Sequence, residues 1–459
     1  NRSPNIFGGT NCEGEMGHSL LTCAPWVDFV CSGEGDISFV EFIKGFLNGE
    51  HQQKTKGIIT RESGTLEIAL TSPVFDMDSI PFPDFDDYFS AFRYSGLRSI
   101  FEPELVMETS RGCWWGEKFQ CTFCGLNGSV MKFRSKHIPR VLAEVKHLRE
   151  RYATTKFQVV DNILDMKYID VLFQEIHRQR LGVSLFYETK ANISKKQLGM
   201  MKLGGVIAIQ PGIESLSDSI LKIMKKGVTA LQNIQTLKWC REYGITTLWN
   251  MIWGFPGEPK EEYGSMAGLV KLLVHLHPPS GFGKLILDRF SPYFIDPVQN
   301  GIANVRPWMA YRFLYPLNDK DLARIAYHFD FDYSDGRDPR SYTKELELEL
   351  LNWKSLWVEN HNGRSRKPDL NMRSAKDLIM INDTRPCSVQ RFHMLANEEA
   401  QIFRLCEGIH SFQSILLKIQ NDFPRIQEDD VTEILSNLVD KKLMICDNSR
   451  YLSLAIPIN

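Results

Sequence analysis

Apolar positions along the chain switch repeatedly between a spacing of two and a spacing near 3.6. From Leu105 the alternation is regular. LVMETSRG reads as a strand, and IPRVLAEVKHLRERY as an amphipathic helix with Ile138, Val141, Leu142, Val145 and Leu148 on one face. Strand FQVVDNIL, helix MKYIDVLFQEIHRQ, strand SLFYETKAN, helix SKKQLGMMKLG and strand VIAIQPGIES follow. Helices DSILKIMKK and ALQNIQTLKWCREYG, strand TTLWNMIWGF, helix EEYGSMAGLVKLLVHL and strand KLILDRFSPYF complete the run. Six strands with helix-length crossovers predict parallel pairing. The expectation is an α/β unit over residues 104–320, a barrel or curved open sheet with its chemistry at the strand C-termini.

The flanks carry different patterns. PNIFGGTNC and VDFVCSGEGD each read as a strand entering a glycine turn, followed by helices GEMGHSLLTCAP and ISFVEFIKGFLNG. Residues 1–70 are therefore expected to be two units of a doubly wound sheet, the later part of a domain whose other strands precede them. Residues 71–103, rich in proline and aspartate, are expected to be an extended linker. Residues 321–380 read as a helical and loop connection, with basic 362–376 a solvated linker. Residues 381–459 read as three helices and two short strands about the turn at Asp447 to Arg450, the outline of a winged helix.

At 459 residues, two to four domains are expected. A formal net charge of -2 argues against a protein that coats nucleic acid. No apolar run reaches bilayer length and no signal peptide pattern opens the chain, so a cytoplasmic protein without a membrane partner is expected. Of ten cysteines, seven lie singly among apolar or helical neighbours and read as small buried hydrophobes. The other three do not.

Cys113, seven residues, Cys121, two residues, Cys124: this spacing falls between a predicted strand and a predicted helix. Three thiolates leave zinc or a cubane cluster one ligand short. For zinc, His137 is the simplest fourth ligand. For a [4Fe-4S] cluster, the open iron can chelate the amino and carboxylate groups of S-adenosylmethionine (SAM), and an electron from the cluster then yields a 5′-deoxyadenosyl radical. Both alternatives stand on spacing alone.

A wider set of stretches carries a resemblance. FGGTNCEGEMG, SGEG, RGCWWGEKFQCTFCGLNG, VDNILDM, YETKAN, IQPGIESLS, KKGVTALQN, GFPGE and DRFSPYF resemble the radical SAM maturases of ribosomally made peptide natural products. That group in turn resembles cobalamin-dependent C-methyltransferases. The seven-residue first gap departs from the superfamily's usual three. The resemblance implies a partial (β/α)6 radical SAM barrel, preceded by part of a Rossmann-like cobalamin-binding domain and followed by a winged-helix-like leader-recognition domain. It implies a [4Fe-4S] cluster on Cys113, Cys121 and Cys124, with Trp114, Trp115 and Phe119 shielding it. It further implies SAM held by Asp161 and Asn162 (amino group), Glu188 and Lys190 (carboxylate and ribose), Gln210 and Glu214 (ribose hydroxyls), and the Gly254 turn (adenine). Cobalamin would lie on the turns at Gly8, Gly9 and Gly33, although no Asp-x-His-x-x-Gly stretch supplies an axial histidine. Arg289 and Tyr293 are expected to face substrate as catalytic groups.

The implied reaction is methylation of an unactivated carbon in a precursor peptide. Epimerisation, cyclisation or cross-linking is the alternative, and a metal-bearing peptide- or DNA-binding regulator is a rival of another class. The implied partners are a precursor peptide with its leader and an electron donor such as flavodoxin or ferredoxin. Nucleic acid is not an expected partner, because the tail carries Glu398, Glu399, Glu428, Asp429 and Asp430.

Overall fold

The computed structural model describes residues 3–49, 55–61, 73–97, 100–128, 130–358 and 367–458. At the N-terminal end, β1 (Ile6–Phe7) and β2 (Phe29–Cys31) pair in parallel across the helix Glu15–Cys23. After helix Gly35–Leu47, β3 (Ile58–Thr60) adds an antiparallel edge that the sequence pattern does not announce. Leu21, Val27, Val30 and Ile59 form a small core there. The stretch read as an extended linker contains a 3-10 turn, Met77–Ser79, and a helix, Asp86–Tyr94. Its aromatic spacing decides this: Phe89 stacks on Tyr152 at 4.8 Å, and Phe85 meets the same ring edge-on at 5.7 Å.

The barrel begins at β4 (Leu105–Met107), and the two-stranded ladder β5 (Ser110–Arg111) and β6 (Arg134–Ser135) follows it. Helix Ile138–Tyr152 leads to β7 (Lys156–Val159), then β8 (Ser184–Thr189), β9 (Val206–Pro211) and β10 (Thr246–Thr247). These pair in parallel in the order β10-β9-β8-β7-β4. β11 (Asn250–Trp253) and β12 (Gly281–Lys284) pair in parallel with each other, and an isolated bridge from Glu214, three residues past β9, to Met251 joins them to the rest. The six units are present, with the fifth strand broken between β10 and β11. The sixth continues only as β13 (Leu287–Asp288), and Pro292–Ile295, read as strand, is a helical turn that Ser291 caps. Helix starts follow their local signals. Ser194 with Gln197 and Thr229 with Gln232 form complete capping boxes, each contributing about 1 kcal/mol.

Residues beyond 320 are not a simple connection. β14 (Ile302–Pro307) and β15 (His328–Tyr333) join β13 in an antiparallel sheet, and helix Arg340–Trp357 packs on helix Glu261–Val270. β16 (Leu370–Ser374), β17 (Leu378–Asp383) and β18 (Phe392–Ala396) form an antiparallel sheet in front of the three helices Asn397–Leu405, Phe412–Asp422 and Glu428–Asp440. A wing of β19 (His410–Ser411), β20 (Met444–Asp447) and β21 (Arg450–Ser453) follows, and β22 (Ile456–Pro457) returns beside β16. The C-terminal module thus starts near residue 370. Residues 362–366 of the expected basic linker lie outside the described residues, and 370–374 are strand. The module sits against the barrel: the buried Lys238 ammonium donates to the Glu407 carbonyl (3.2 Å) and to Ser453 (3.1 Å). No helix among the described residues is long and apolar enough to cross a membrane.

Candidate active site

The cysteine loop leaves and re-enters the barrel through the β5–β6 ladder, which pairs Arg111 with Arg134. Gly112, at φ +80°, is needed at the exit because a Cβ would overlap the Lys132 carbonyl. Three anchors hold the loop over the strand ends. Thr122 donates its backbone N–H to the Met224 carbonyl (3.2 Å), and the Tyr293 N–H donates to the Thr122 carbonyl (3.1 Å). Gln120 donates to the Phe290 carbonyl (3.4 Å) and, within the loop, to the Cys124 carbonyl (3.1 Å). Gly125 lies so close to the Arg289 carbonyl that no side chain fits.

The three thiols lie within electrostatic reach of one another. Burial pushes Cys124 up to about 11, with Cys121 and Cys113 adding to the rise. Burial also raises Cys121, against the pull of Lys226 and Lys190. Such thiols surrender their protons to a bound cation rather than to water. The Gly116 N–H donates to the Cys113 sulfur at 3.3 Å, a contact suited to a thiolate. Among the described residues no three His, Cys, Asp or Glu side chains close on one point as single-ion ligands do. The exposed His137 imidazole pairs with Asp78 at 2.8 Å, so the fourth ligand of the zinc alternative is engaged elsewhere. Three cysteines that influence one another's charge, with Lys226 and Lys190 acting on Cys121, are the residue types a cubane takes, each of three irons binding one sulfur.

Behind the loop, the strand ends present a half-buried polar set. Glu188 on β8 stands opposite Gln210 on β9. Burial, then Glu214 and Asp161, pushes the Glu188 carboxyl up to about 7. Burial and Lys226 lower Lys190 to about 8; its ammonium lies 2.9 Å from the Trp115 ring centroid and donates to the Lys226 carbonyl at 2.6 Å. Glu214, at φ +57°, pairs with Lys226 at 3.3 Å. Burial works against the Lys226 charge, but Glu214 and Cys121 outweigh it and hold its pKa up. Lys226 lies within the stretch KKGVTALQN, yet sequence reasoning assigned it no role; only the fold brings it beside the cysteines.

Several expected site residues have other work. Asp161 is buried and accepts hydrogen bonds from the Thr109 N–H (2.7 Å), the Thr109 hydroxyl and the Ser110 hydroxyl (2.8 Å). Its oxygens fasten β4 to β7 and are not presented to an amino group, although burial raises it to about 6. Asn162 donates to the Asn127 side chain at 2.7 Å and faces the N-terminal unit. The Gly254 N–H is taken by the Glu258 carboxylate (3.0 Å) and its carbonyl by the Tyr333 hydroxyl (2.7 Å), so this turn does not offer a free backbone to adenine. Glu258, also bound by Tyr263 and Tyr342, is the group that shapes GFPGE. Arg289 donates to the Ala326 (2.8 Å) and Arg324 (3.3 Å) carbonyls and to Glu15 (3.2 Å), which makes it a brace rather than a catalytic residue. Tyr293 is buried beside Phe255 and positions the loop through its backbone. Trp114 and Trp115 are tied down through their indole N–H groups to Leu164 and Lys225, while Phe119 is 55% exposed and packs on Trp115.

The glycine turns open on a cleft of about 500 Å³ between the N-terminal unit and the barrel mouth. Gly9 (φ +97°) and Gly33 (φ +87°) line one side, and Gly112, Asn127 and Asn162 the other. Gly8 instead packs against Cys31. The cleft is braced by ion pairs from Arg134 to Glu34 (2.6 Å) and from Arg111 to Asp36 (2.8 Å). Despite burial, the Arg134 hydrogen bonds hold Glu34 below its ordinary range.

Residues 107–270 match the family model described as the Radical SAM superfamily. The chain is 28% identical over 283 residues to an uncharacterised methyltransferase of Pyrococcus horikoshii, covering 60% of this chain and 59% of that protein. It is 24% identical over 382 residues to the cytidylyl-2-hydroxyethylphosphonate methyltransferase of Streptomyces wedmorensis, covering 70% and 68%. Among solved structures it resembles in fold the cobalamin-dependent SAM radical enzyme OxsB, with aquacobalamin and SAM bound (TM-score 0.55, 15% identity, 76% of this chain and 53% of that one). It likewise resembles the radical SAM methyltransferase TsrM of Kitasatospora setae, with cobalamin and a [4Fe-4S] cluster (TM-score 0.53, 16% identity, 76% and 72%). The chain thus spans little more than half the length of OxsB and of the Pyrococcus protein. The matched run starts at the first barrel strand, crosses the cysteine loop and ends with the helix after β11, and over it the chain is similar to the radical SAM superfamily.

Proposed function

We propose that the chain is a cobalamin-dependent radical SAM methyltransferase acting on an unactivated carbon of a ribosomally made peptide. The observation that carries this reading is the braced cleft between the glycine turns and the cysteine loop, a place for a large flat ligand beside a radical SAM centre. The methyltransferase relatives and the cobalamin in OxsB and TsrM support it. When bound, the cluster supplies the electron that cleaves SAM, and cobalamin supplies a transferable methyl group. Cys113, Cys121 and Cys124 hold the cluster. Lys226 and Lys190 offset its charge and receive the SAM carboxylate. The Glu188 carboxylate, for which no hydrogen-bond partner stands among the described residues, receives the SAM ammonium, and Gln210 beside it the ribose. Gly9 and Gly33 let the corrin approach the backbone.

The peptide substrate is supported by the C-terminal module. Among the described residues β18 pairs only with β17, which leaves its other edge for an added strand. Phe392 (67% exposed) and Met394 (68%) stand along it as apolar contacts. The test is a reaction with candidate precursor peptides under anaerobic conditions, read by mass spectrometry. Formation of 5′-deoxyadenosine and S-adenosylhomocysteine together with a peptide heavier by one methyl group is expected. 5′-Deoxyadenosine with an unmethylated, rearranged peptide would replace methyl transfer by epimerisation, cyclisation or cross-linking.

A further inference from the structure

Radical chemistry at the cysteine loop needs one electron delivered from outside, and one face of the molecule is built around that loop. Trp115, two residues from Cys113, crosses from the loop to the surface. Its indole N–H donates to the Lys225 carbonyl at 3.1 Å, and its ring lies 4.8 Å from that of Phe119. Together with Leu221 and Val228 these rings line a largely apolar groove of about 590 Å³. Lys222 and Lys225 stand on its rim and Lys118 lies next to Phe119; all three are exposed. The nearby carboxylates are committed to backbone groups: Glu117 accepts from the Phe133 N–H (2.8 Å) and Asp218 from the Ala230 N–H (2.6 Å). No described carboxylate pairs with any of the three lysines, in a chain whose formal net charge is -2.

We infer that this face docks an acidic, low-potential one-electron carrier protein of the flavodoxin type. The carrier's carboxylates meet Lys118, Lys222 and Lys225, and its redox group comes to rest over Phe119 and Trp115. One electron leaves the carrier and one enters the cluster, with no bond made or broken. Unpaired lysines around an apolar centre suit a transient, salt-sensitive encounter, in which charge sets the on-rate and a small dry patch the orientation. The inference rests on the proposed cluster, and the experiment separates the two.

The test uses reduced flavodoxin as the probe and the anaerobically loaded chain as acceptor, following bleaching of the cluster's visible absorbance in a stopped-flow instrument. Lys118→Glu/Lys222→Glu/Lys225→Glu is expected to lower the second-order rate constant about tenfold at low ionic strength, and to abolish its fall with added salt. Reduction by dithionite should keep its wild-type rate. Wild-type rates with flavodoxin in the triple variant would overturn the docking face. If charge reversal impairs folding, the Lys→Gln triple variant serves, with an expected loss of about threefold. Affinity of the cofactor-free chain for oxidised flavodoxin, measured by calorimetry, gives the second reading. Salt-sensitive binding lost in the triple variant supports the face even where no cluster can be loaded, an outcome that would refute the proposed function alone. Absence of binding by the wild type at low salt would refute the face.

Discussion

Gly227→Ala tests how the cysteine loop is held. Gly227 has φ +61°, and a Cβ there would overlap the outer ring of Trp115. An alanine in this left-handed region costs about 1–2 kcal/mol from the backbone alone. The indole must also move, and three interactions go with it. They are the N–H bond to the Lys225 carbonyl (3.1 Å), the Lys190 contact over the ring (2.9 Å) and the packing on Phe119 (4.8 Å). Each is worth roughly 0.5–1.5 kcal/mol at a half-exposed site, and the freed groups regain some water, so about 3 kcal/mol in total is expected. Urea unfolding of the cofactor-free chain, followed by circular dichroism, measures it. In a cycle with Trp115→Ala, the Gly227→Ala cost should fall to the backbone part, about 1–2 kcal/mol. Equal costs in both backgrounds would refute the account of Trp115 as the latch between loop and turn.

Four further outcomes are expected. The protonated Glu188 carboxyl, raised from 4.5 to about 7, contributes stability that is full below its unfolded pKa and lost as pH rises through about 7. Glu188→Gln should therefore flatten the fall in unfolding free energy between those values by up to about 3 kcal/mol; an unchanged pH slope would count against the assignment. Arg289→Leu should lower the unfolding midpoint, because it removes donors from the Ala326 and Arg324 carbonyls and from Glu15, at roughly 2–4 kcal/mol; undiminished stability would return Arg289 to the list of substrate-facing candidates. Arg134→Ala should cost about 2–3 kcal/mol by leaving Glu34 with only Arg111 (3.3 Å) and the Val74 N–H (2.7 Å), and hydrogen exchange should quicken in helix Gly35–Leu47; unchanged protection there would show that the ion pairs do not brace the cleft. Gly264→Ala, in the helix Glu261–Val270 with open space around its Cβ, should gain roughly 0.5–1 kcal/mol in thermal or urea unfolding; a loss would contradict that space.

The parts of the fold visible in sequence are those fixed by neighbours in the chain. Cap residues such as Ser194 and Thr229 announce their helices because the partner stands three residues on. The cysteine loop was legible from its spacing, since two residues between thiols fix their common direction. Asp161 was misread because its partners, Thr109 and Ser110, lie about fifty residues away, and a strand-end carboxylate looks alike whether it faces ligand or fastens two strands. Gly254 was misread although the reason stands four residues later: Glu258 closes the turn on itself. The helix Asp86–Tyr94 was hidden by composition, the prolines before it and its aspartates outweighing the aromatic stripe that Tyr152 receives. The antiparallel sheet of β13, β14 and β15 carries no local signal, because β13 is two residues long and its partner follows some forty residues later.

The account turns on Cys113, Cys121 and Cys124 forming a cluster site rather than a single-ion site. The most direct test is the iron, sulfide, zinc and cobalt content of the chain purified without oxygen from cells supplied with cobalamin, beside Cys124→Ala. About four irons and four sulfides per chain, lost in Cys124→Ala, are predicted, with cobalt present in both. About one zinc per chain and no iron would contradict the central claim.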